Sequence, residues 1–431
     1  MPLALLVSSL LAAAGGGSSG FGGGGGGGGF SGGGSYSGGG ATTAGGPVSL
    51  VIILLVVVAV VIPIVVSFFK LRRMRARRAE RDARVRLAAV EAAQDDAAFA
   101  AQGVERETIA LFAAIQIAWD ARDVGALERL VGADLMVEWR RRLADFARKG
   151  WHNRVRVLAG PEIRYVGLVN RERDEEDRVT VHVEARLEDY VEARGGRRIM
   201  RHGEEDTTTT LSEYWTLAKR EGRWTLLSIE QDAEGAHHLD APIVASPWDD
   251  QRLADEALVE GALADAAPPG VRTAELVDVD LTADARAQAL DLSLVDARFA
   301  PDVLAAAARS AAAAWAEAVD GPDAALERIA APGAAAALLY GGDEARATRL
   351  VVRGPQIDAI TIERLEAESE PPTMTLEVRV RGRRYVEDRD SAAVLSGAKD
   401  VERVFAERWT MALADAGETP WRLVGVAGAR A

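Results

Sequence analysis

The chain repeats itself at long range. "SEYWTLAKREGRWTLLSIEQ" occupies residues 212–231 and "AERWTMALADAGETPWRLVGV" residues 406–426. Both carry Glu-x-Trp-Thr, a polar turn, then a second Trp followed by apolar residues. Earlier matches are collinear with these. The segment opening at Phe99 answers the one opening at Phe299, and Trp119 answers Trp315. "ALERL" at 126–130 answers "ALERI" at 325–329, "VLAGPEI" at 157–163 answers "VVRGPQI" at 351–357, and "YVEAR" at 190–194 answers "YVEDR" at 385–389. The offsets stay between 194 and 200, so insertions are small. That pattern indicates a duplicated domain, and a period this long means two globular units rather than a solenoid. A length of 431 residues leaves room for both.

Each copy reads as helices followed by strands. Ile109, Phe112, Gln116 and Trp119 recur at helical spacing, Gly125 breaks the pattern, and Leu135, Trp139, Leu143 and Phe146 form a second stripe. After Gly150 the period becomes two. Val179, Val181, Val183, Ala185 and Leu187 take one face; Arg178, Thr180, His182, Glu184 and Arg186 take the other, where His182 reads as solvated. Met374, Leu376, Val378 and Val380 repeat this in the second copy. "EYWTLAKREGRWTLLSI" reads as a hairpin turning at Glu221-Gly222, and the second copy has a longer turn around Ala416-Gly417-Glu418 and Pro420. The layout is α+β, with helices packed on the apolar face of a curved antiparallel sheet, like a cone with a mouth at one end. Between the copies, residues 236–295 read as an ordered connector, with an acidic helix candidate ("DDQRLADEALVEGALADA") and strands around 271–281 and 288–295.

Charge is distributed unevenly. Residues 1–69 contain no Lys, Arg, Asp or Glu. Residues 70–86 carry nine bases and two acids, which leaves −21 for the rest of a chain whose total is −14. So acidic a body offers no general attraction to nucleic acid; a basic protein partner is the easier expectation. Residues 48–69, "VSLVIILLVVVAVVIPIVVSFF", are long enough as a helix to cross a hydrocarbon core, and Pro63 is tolerated there. Lys70, Arg72, Arg73, Arg75, Arg77 and Arg78 follow at once, while the other flank is uncharged. The positive-inside rule then places the N-terminus outside and the C-terminal body in the cytoplasm of a bacterial-type plasma membrane. The same bases are candidates for contact with anionic lipid headgroups. Residues 1–14 resemble a signal-peptide core ending in small residues, and 15–47 form a Gly-rich tail expected to be disordered, with Gly at 20 of the positions 15–46. The G-x-G-x-x-G and G-x-S-x-G matches inside that tract lack the strand and helix such motifs require.

Little points to catalysis. The chain has no cysteine, which removes disulfides, Cys-zinc sites and thiol chemistry. His237-His238 with Asp240 is a metal fragment without a third ligand at helical or hairpin spacing, and adjacent residues in a strand point opposite ways. Asp95-Asp96 and Asp249-Asp250 read as helix starts. "DTTTTL" at 206–211 reads as a strand edge. Asp189, Tyr190, Tyr165 and Tyr214 are the residues an isomerase-like cavity would need to turn inward. No catalytic set, cofactor or metal is expected.

The stretch from about 96 to 234 resembles the Tim44-like domain family, through the Phe99-to-Trp119 helix, "GALERLV", "WHNRVRVLAGPEI" and above all "EYWTLAKREGRWTLLSIEQ". Bacterial members of that family often combine a Gly-rich N-terminus, one span and this domain. The resemblance implies an NTF2-like cone with an apolar pocket, for which Trp119, Trp139, Trp151, Tyr165, Tyr190 and Trp215 are the candidate lining. The expected division is a span at 48–69, a basic juxtamembrane helix at 70–95, a Tim44-like domain at 96–235, the connector, and a divergent second copy at 296–431 that lacks counterparts of Trp139 and Trp151. The implied role is membrane-associated binding or tethering of a protein partner or apolar ligand. An isomerase-like enzyme in the first cone and a lipid-binding or transport module are the alternatives.

Overall fold

The computed structural model describes residues 47–199, 206–231, 233–247, 279–414 and 420–427. The signal-like segment, the Gly-rich tract and the acidic helix candidate lie outside the described residues. The first helix, α1 (Pro47–Asp95), runs unbroken from the apolar stretch through the basic stretch. Among the described residues no helix is long and apolar enough to cross a membrane. In a helix, residues three and four apart share a face. On that spacing Arg78, Arg81, Val85, Ala89 and Ala92 are buried, and the last three join the first hydrophobic core. The stretch expected as a separate juxtamembrane helix is therefore, in its C-terminal half, the first helix of unit one.

Unit one continues with α2 (Ala101–Ala121), α3 (Val124–Leu130) and α4 (Ala133–Lys149), then β1 (Trp151–Val169), β2 (Arg178–Ala193), β3 (Arg198–Ile199), β4 (Thr208–Arg220) and β5 (Arg223–Gln231). The strands order as β1-β2-β4-β5, with β3 beside β2 and every pairing antiparallel. Unit two repeats the plan. It contains β6 (Val279–Leu281), α5 (Ala283–Ser293), α6 (Pro301–Asp320), α7 (Ala324–Ile329) and α8 (Pro332–Tyr340). Its remaining strands are β7 (Thr348–Glu366), β8 (Thr373–Asp388), β9 (Val394–Gly397), β10 (Arg403–Leu413) and β11 (Trp421–Ala427). They order as β11-β10-β8-β7-β6, with β6 parallel to β7 and β9 beside β8. Register shifts fall at matching places in the long first strands, between Val157 and Glu162 and between Arg353 and Gln356, where bulges bend the sheets.

The duplication reaches individual contacts. Asp96 accepts from the Ala98 N–H at 2.9 Å and Asp296 from the Arg298 N–H at 3.0 Å. The Trp224 indole donates to the Ala98 carbonyl at 3.0 Å, and the Trp421 indole to the Arg298 carbonyl at 2.9 Å. Phe99 packs edge-on to Trp224 with centroids 5.4 Å apart, and Phe299 to Trp421 at 5.6 Å. Each Trp thus fastens the last strand to the turn that opens the helical layer. The two-residue turn expected at Glu221-Gly222 is present, with φ of 52° and 74°, the sense that suits the twist of a hairpin.

Three expectations are corrected. Residues 283–293 form α5 rather than a strand: Thr282 caps the helix and Ala285 and Ala289, four apart, are buried, so the alternation of Leu290, Leu292 and Leu294 carried no strand signal. Ile109 is exposed; the buried stripe of α2 runs through Val104, Thr108, Leu111, Phe112, Ile115, Gln116 and Trp119. Finally, His182 is buried rather than solvated, and Thr180 is buried with it. The second face of the unit-one sheet is covered by α1 and by the 3-10 turn Gly235–Leu239, elements far away in sequence.

Candidate functional site

The edge strand β1 would expose unpaired backbone groups, and α1 occupies them. Asp82 accepts from the Tyr165 N–H at 2.6 Å, while Arg81 donates to the carbonyls of Val166 and Ala241, both at 2.7 Å. Burial pulls Arg81 down to about 10, a sign of how far it has left water. Arg78 donates to the Tyr214 hydroxyl at 2.9 Å and lies 3.7 Å from Glu184. Arg77 forks onto both oxygens of Asp240 at 2.7 and 2.8 Å. Two members of the expected headgroup cluster are therefore structural, whereas Arg72, Arg73 and Arg75 are exposed.

The two units meet along a seam of ion pairs. The charged face of α4, which looks like a solvated face in the sequence, supplies the unit-one side. Arg142 donates to Glu387 at 3.0 Å, Arg141 and Arg148 each reach Asp390 at 2.8 Å, and Arg353 of β7 donates to Glu234 at 3.0 Å. The Tyr385 hydroxyl donates to Glu234, and Lys399 to Glu387 at 2.8 Å. Burial opposes ionisation of Glu387, yet Lys399 and Arg142 outweigh it and hold the carboxyl at about 2.

A cavity of about 90 Å³ opens between α4, β5 and unit two. Its wall mixes Arg142, Arg353 and Lys399 with Asp134, Glu138 and Glu387. By volume it has room for several waters. Burial pushes the Asp134 carboxyl up, with Asp323 adding to the shift. Of the six residues expected to line an apolar pocket, Trp139 faces this cavity and the other five do not. Trp119 and Trp139 pack edge to face at 5.3 Å, and Trp215 against Phe112 at 5.3 Å, as core aromatics. Tyr165 is buried in the same core, Trp151 and Tyr190 are half-buried, and Arg198 lies over the Tyr190 ring at 4.5 Å. Asp189 is not turned into a cavity either: Trp119 donates to Asn153 at 2.8 Å, and Asn153 donates to Asp189 at 2.6 Å.

Residues 85–231 match the sequence pattern of the family described as Tim44-like domain. This segment is a Tim44-like domain. The match begins inside α1 at Val85, a residue of the core, in accord with that helix belonging to unit one. No curated protein matches the chain. Among solved structures, the intermembrane space region of the chloroplast protein ARC6 is 10% identical, with a TM-score of 0.24, covering 30% of this chain and 95% of that one. An Ntf2-like protein involved in plasmid conjugation is 10% identical, with a TM-score of 0.16, covering 72% and 88% respectively. At those scores neither likeness bears on function.

Beyond the strands of the Tim44-like domain, the His237-His238 pair sits on the 3-10 turn and not in a strand, so both rings turn to one side, with centroids 4.0 Å apart. Glu230, at the end of β5, is the partner that spacing did not reveal: His238 Nε2 lies 2.9 Å from its Oε1 and His237 Nδ1 3.6 Å from its Oε2. A second carboxylate group, Asp96, Asp174 and Asp177, is already occupied by the ammonium of Lys219, which contacts Asp96, lies 2.9 Å from Asp174 and 3.7 Å from Asp177.

Proposed function

We propose that the chain is a membrane-tethered, non-enzymatic binding protein. In this reading residues 48–69 span a bacterial-type plasma membrane once, with the N-terminus outside. Both units, the second a divergent Tim44-like domain and each of NTF2-like cone type, hold a protein partner near the inner leaflet. The observation that carries the reading is α1, a single helix that leaves the apolar stretch and docks by Arg78, Arg81, Asp82 and Val85 onto a Tim44-like domain. Ile62, Val65, Val66, Phe68, Phe69 and Leu71 are exposed just before the docked half. Apolar exposure of that extent calls for a cover, and a bilayer supplies one. Arg72, Arg73 and Arg75 then lie at headgroup level, each worth about 1 kcal/mol toward anionic lipid. A tether of this kind raises the local concentration of whatever the units bind.

A reporter fused to the C-terminus of the full chain should be active on the cytoplasmic side only, and the protein should stay in the membrane after alkaline extraction. Activity outside, or release into the soluble fraction, would overturn the tether. In-cell cross-linking of the full chain should return a reproducible protein partner; recovery of none would remove the binding role. The enzymatic reading keeps one observation in its favour, the raised carboxyl of Asp134 in a polar cavity. Isomerase-type turnover lost in a folded Asp134→Asn variant would put it first.

A further inference from the structure

The 3-10 turn at 235–239 does more than cover the sheet. Glu230 is 2% exposed, and its Oε2 has no hydrogen-bond partner. A buried carboxylate oxygen left without a donor is costly, so a cation at that oxygen would remove a penalty. Two imidazole nitrogens lie 2.9 and 3.6 Å from the Glu230 oxygens, and imidazole binds first-row divalent metals when neutral. A tetrahedral zinc ion with bonds of about 2.0–2.1 Å holds its ligand atoms roughly 3.3 Å apart. Here His238 Nε2 and Glu230 Oε1 are 2.9 Å apart, and His237 Nδ1 and Glu230 Oε2 are 3.6 Å apart. The candidate ligand atoms of all three residues lie within 4.8 Å of one another.

The surroundings suit a dication. His237 Nε2 lies 3.9 Å from Asp320 Oδ2 of unit two, beyond hydrogen-bond length but close enough for a small shift to make the carboxylate contact that orients a metal-bound histidine through its other ring nitrogen. Glu230, Glu234 and Asp320 face one guanidinium, Arg353, which donates to Glu234 at 3.0 Å and to Asp320 at 3.2 Å. The carboxylates Glu230, Glu234 and Asp320 outnumber the cations Arg353 and Lys399 here, and because Glu230 favours the charged form of His238, the ion competes with a proton at that ring. Binding asks that His237 Nδ1 turn from the Glu234 carbonyl, 3.1 Å away, toward the ion, and that the protons which Nδ1 and His238 Nε2 hold toward that carbonyl and Glu230 move to the other ring nitrogens or to solvent, so metal binding weakens as pH falls.

We infer that Glu230, His237 and His238 form a divalent transition-metal site of the zinc type at the seam between the two units, with Asp320 orienting His237 from the opposite unit. Three protein ligands leave the fourth position to water. The site is independent of the membrane tether and of any partner.

The test is calorimetric titration of the full-length, detergent-solubilised, chelator-stripped protein with Zn²⁺, alongside Co²⁺ followed by visible absorption. One ion per chain should bind with micromolar or tighter Kd, and Co²⁺ should give the intense visible bands of four-coordinate geometry. Glu230→Gln should weaken binding at least tenfold, and His238→Ala should abolish it. Asp320→Asn should weaken it about tenfold while leaving the Co²⁺ spectrum four-coordinate. Circular dichroism checks that each variant is folded; Glu230→Gln, nearly isosteric, is the reference should His238→Ala not fold. Absence of saturable Zn²⁺ binding at 100 µM metal would overturn the site, as would binding that the folded Glu230→Gln variant leaves unchanged.

Discussion

Unit one and unit two share a blueprint down to the indole hydrogen bonds of Trp224 and Trp421, and they part at three places. The first is the last helix of each helical layer. In unit one α4 has 17 residues, with Trp139 and Phe146 in the core, Arg142 buried beside them, and Glu138, Arg141 and Arg148 turned away. In unit two α8 has nine, nearly all small or aliphatic. The second is the outer face of the sheet, which in unit one is closed by α1 and the 235–239 turn. The third is the end of the hairpin strand, where Lys219 of unit one matches Leu413 of unit two. The blueprint needs the core and the Trp latches; the charged helix and the second cover are additions of unit one. The charged helix and the residues leading into the 235–239 turn make the contacts to unit two. One unit is therefore built as the hub, and the other leans on it.

The largest effect should come from the core residue that unit two lacks. Trp139→Ala deletes the edge-to-face partner of Trp119 and should cost about 3–5 kcal/mol. Chemical denaturation should show unit one unfolding early, with the tryptophan signal of unit two retained. Unfolding of both units together would mean that the seam couples them more strongly than this comparison allows.

Next come the seam pairs. Arg142→Ala leaves Glu387 buried with Lys399 bonded to it and Arg353 acting through the field, and should cost roughly 3 kcal/mol, splitting one thermal transition into two by calorimetry. Arg142→Met together with Glu387→Leu and Lys399→Met should recover most of that loss, since Lys399 is then not left buried without the carboxylate it donates to. The carboxyl of Glu387 is held at about 2 in the fold against 4.5 for the ordinary group, so the stability it adds is complete above about pH 4.5 and fades as pH falls toward 2. The wild-type seam should loosen over that acid range and the triple variant should not.

The latches should behave alike. Trp224→Phe and Trp421→Phe each remove one indole N–H from a backbone carbonyl and keep the ring against Phe99 or Phe299. Each should cost about 1 kcal/mol in equilibrium unfolding. Costs differing by more than twofold would mean that the duplicated contact is no longer used in the same way.

What local patterns encode was legible beforehand. The Glu221-Gly222 turn, the strand faces around Val181 and Met374, the Asp96 cap and the duplication all follow from spacing within a few residues or from direct repetition. What distant elements impose was not. His182 alternates like a solvated residue and is buried because α1, about a hundred residues upstream, crosses its face. The charges of α4 look like an ordinary wet face, since sequence does not show that Asp390 and Glu387 arrive opposite them. Of the six aromatics expected around a pocket, Trp119, Tyr165 and Trp215 pack in the core, Trp151 and Tyr190 are half-buried, and Trp139 is the one that also faces the cavity where two units abut. The His237-His238 pair was assigned the geometry of a strand; a turn brings both rings to Glu230, seven and eight positions back.

The smallest effect tests the third difference. Lys219, Asp96, Asp174 and Asp177 form a charged knot where unit two has Leu413 and the separate Asp296–Arg298 pair. Burial raises the Asp177 carboxyl to about 6, only partly offset by the Arg171 N–H and Lys219. A carboxyl whose pKa is higher in the folded state than its ordinary 3.8 binds its proton more tightly when folded, so its ionisation costs stability. That cost is absent below about pH 4, accumulates as pH rises toward 6, and is complete above it. Asp177→Asn keeps an oxygen for the Arg171 N–H, 2.9 Å away, and removes the titration. The variant should match the wild type near pH 4 and be modestly more stable at pH 7, read as a higher denaturation midpoint. A variant less stable than wild type at pH 7 would show that the attraction of Lys219 for a third carboxylate outweighs the burial of that charge, and that the knot is a stabilising feature which unit two has exchanged for Leu413.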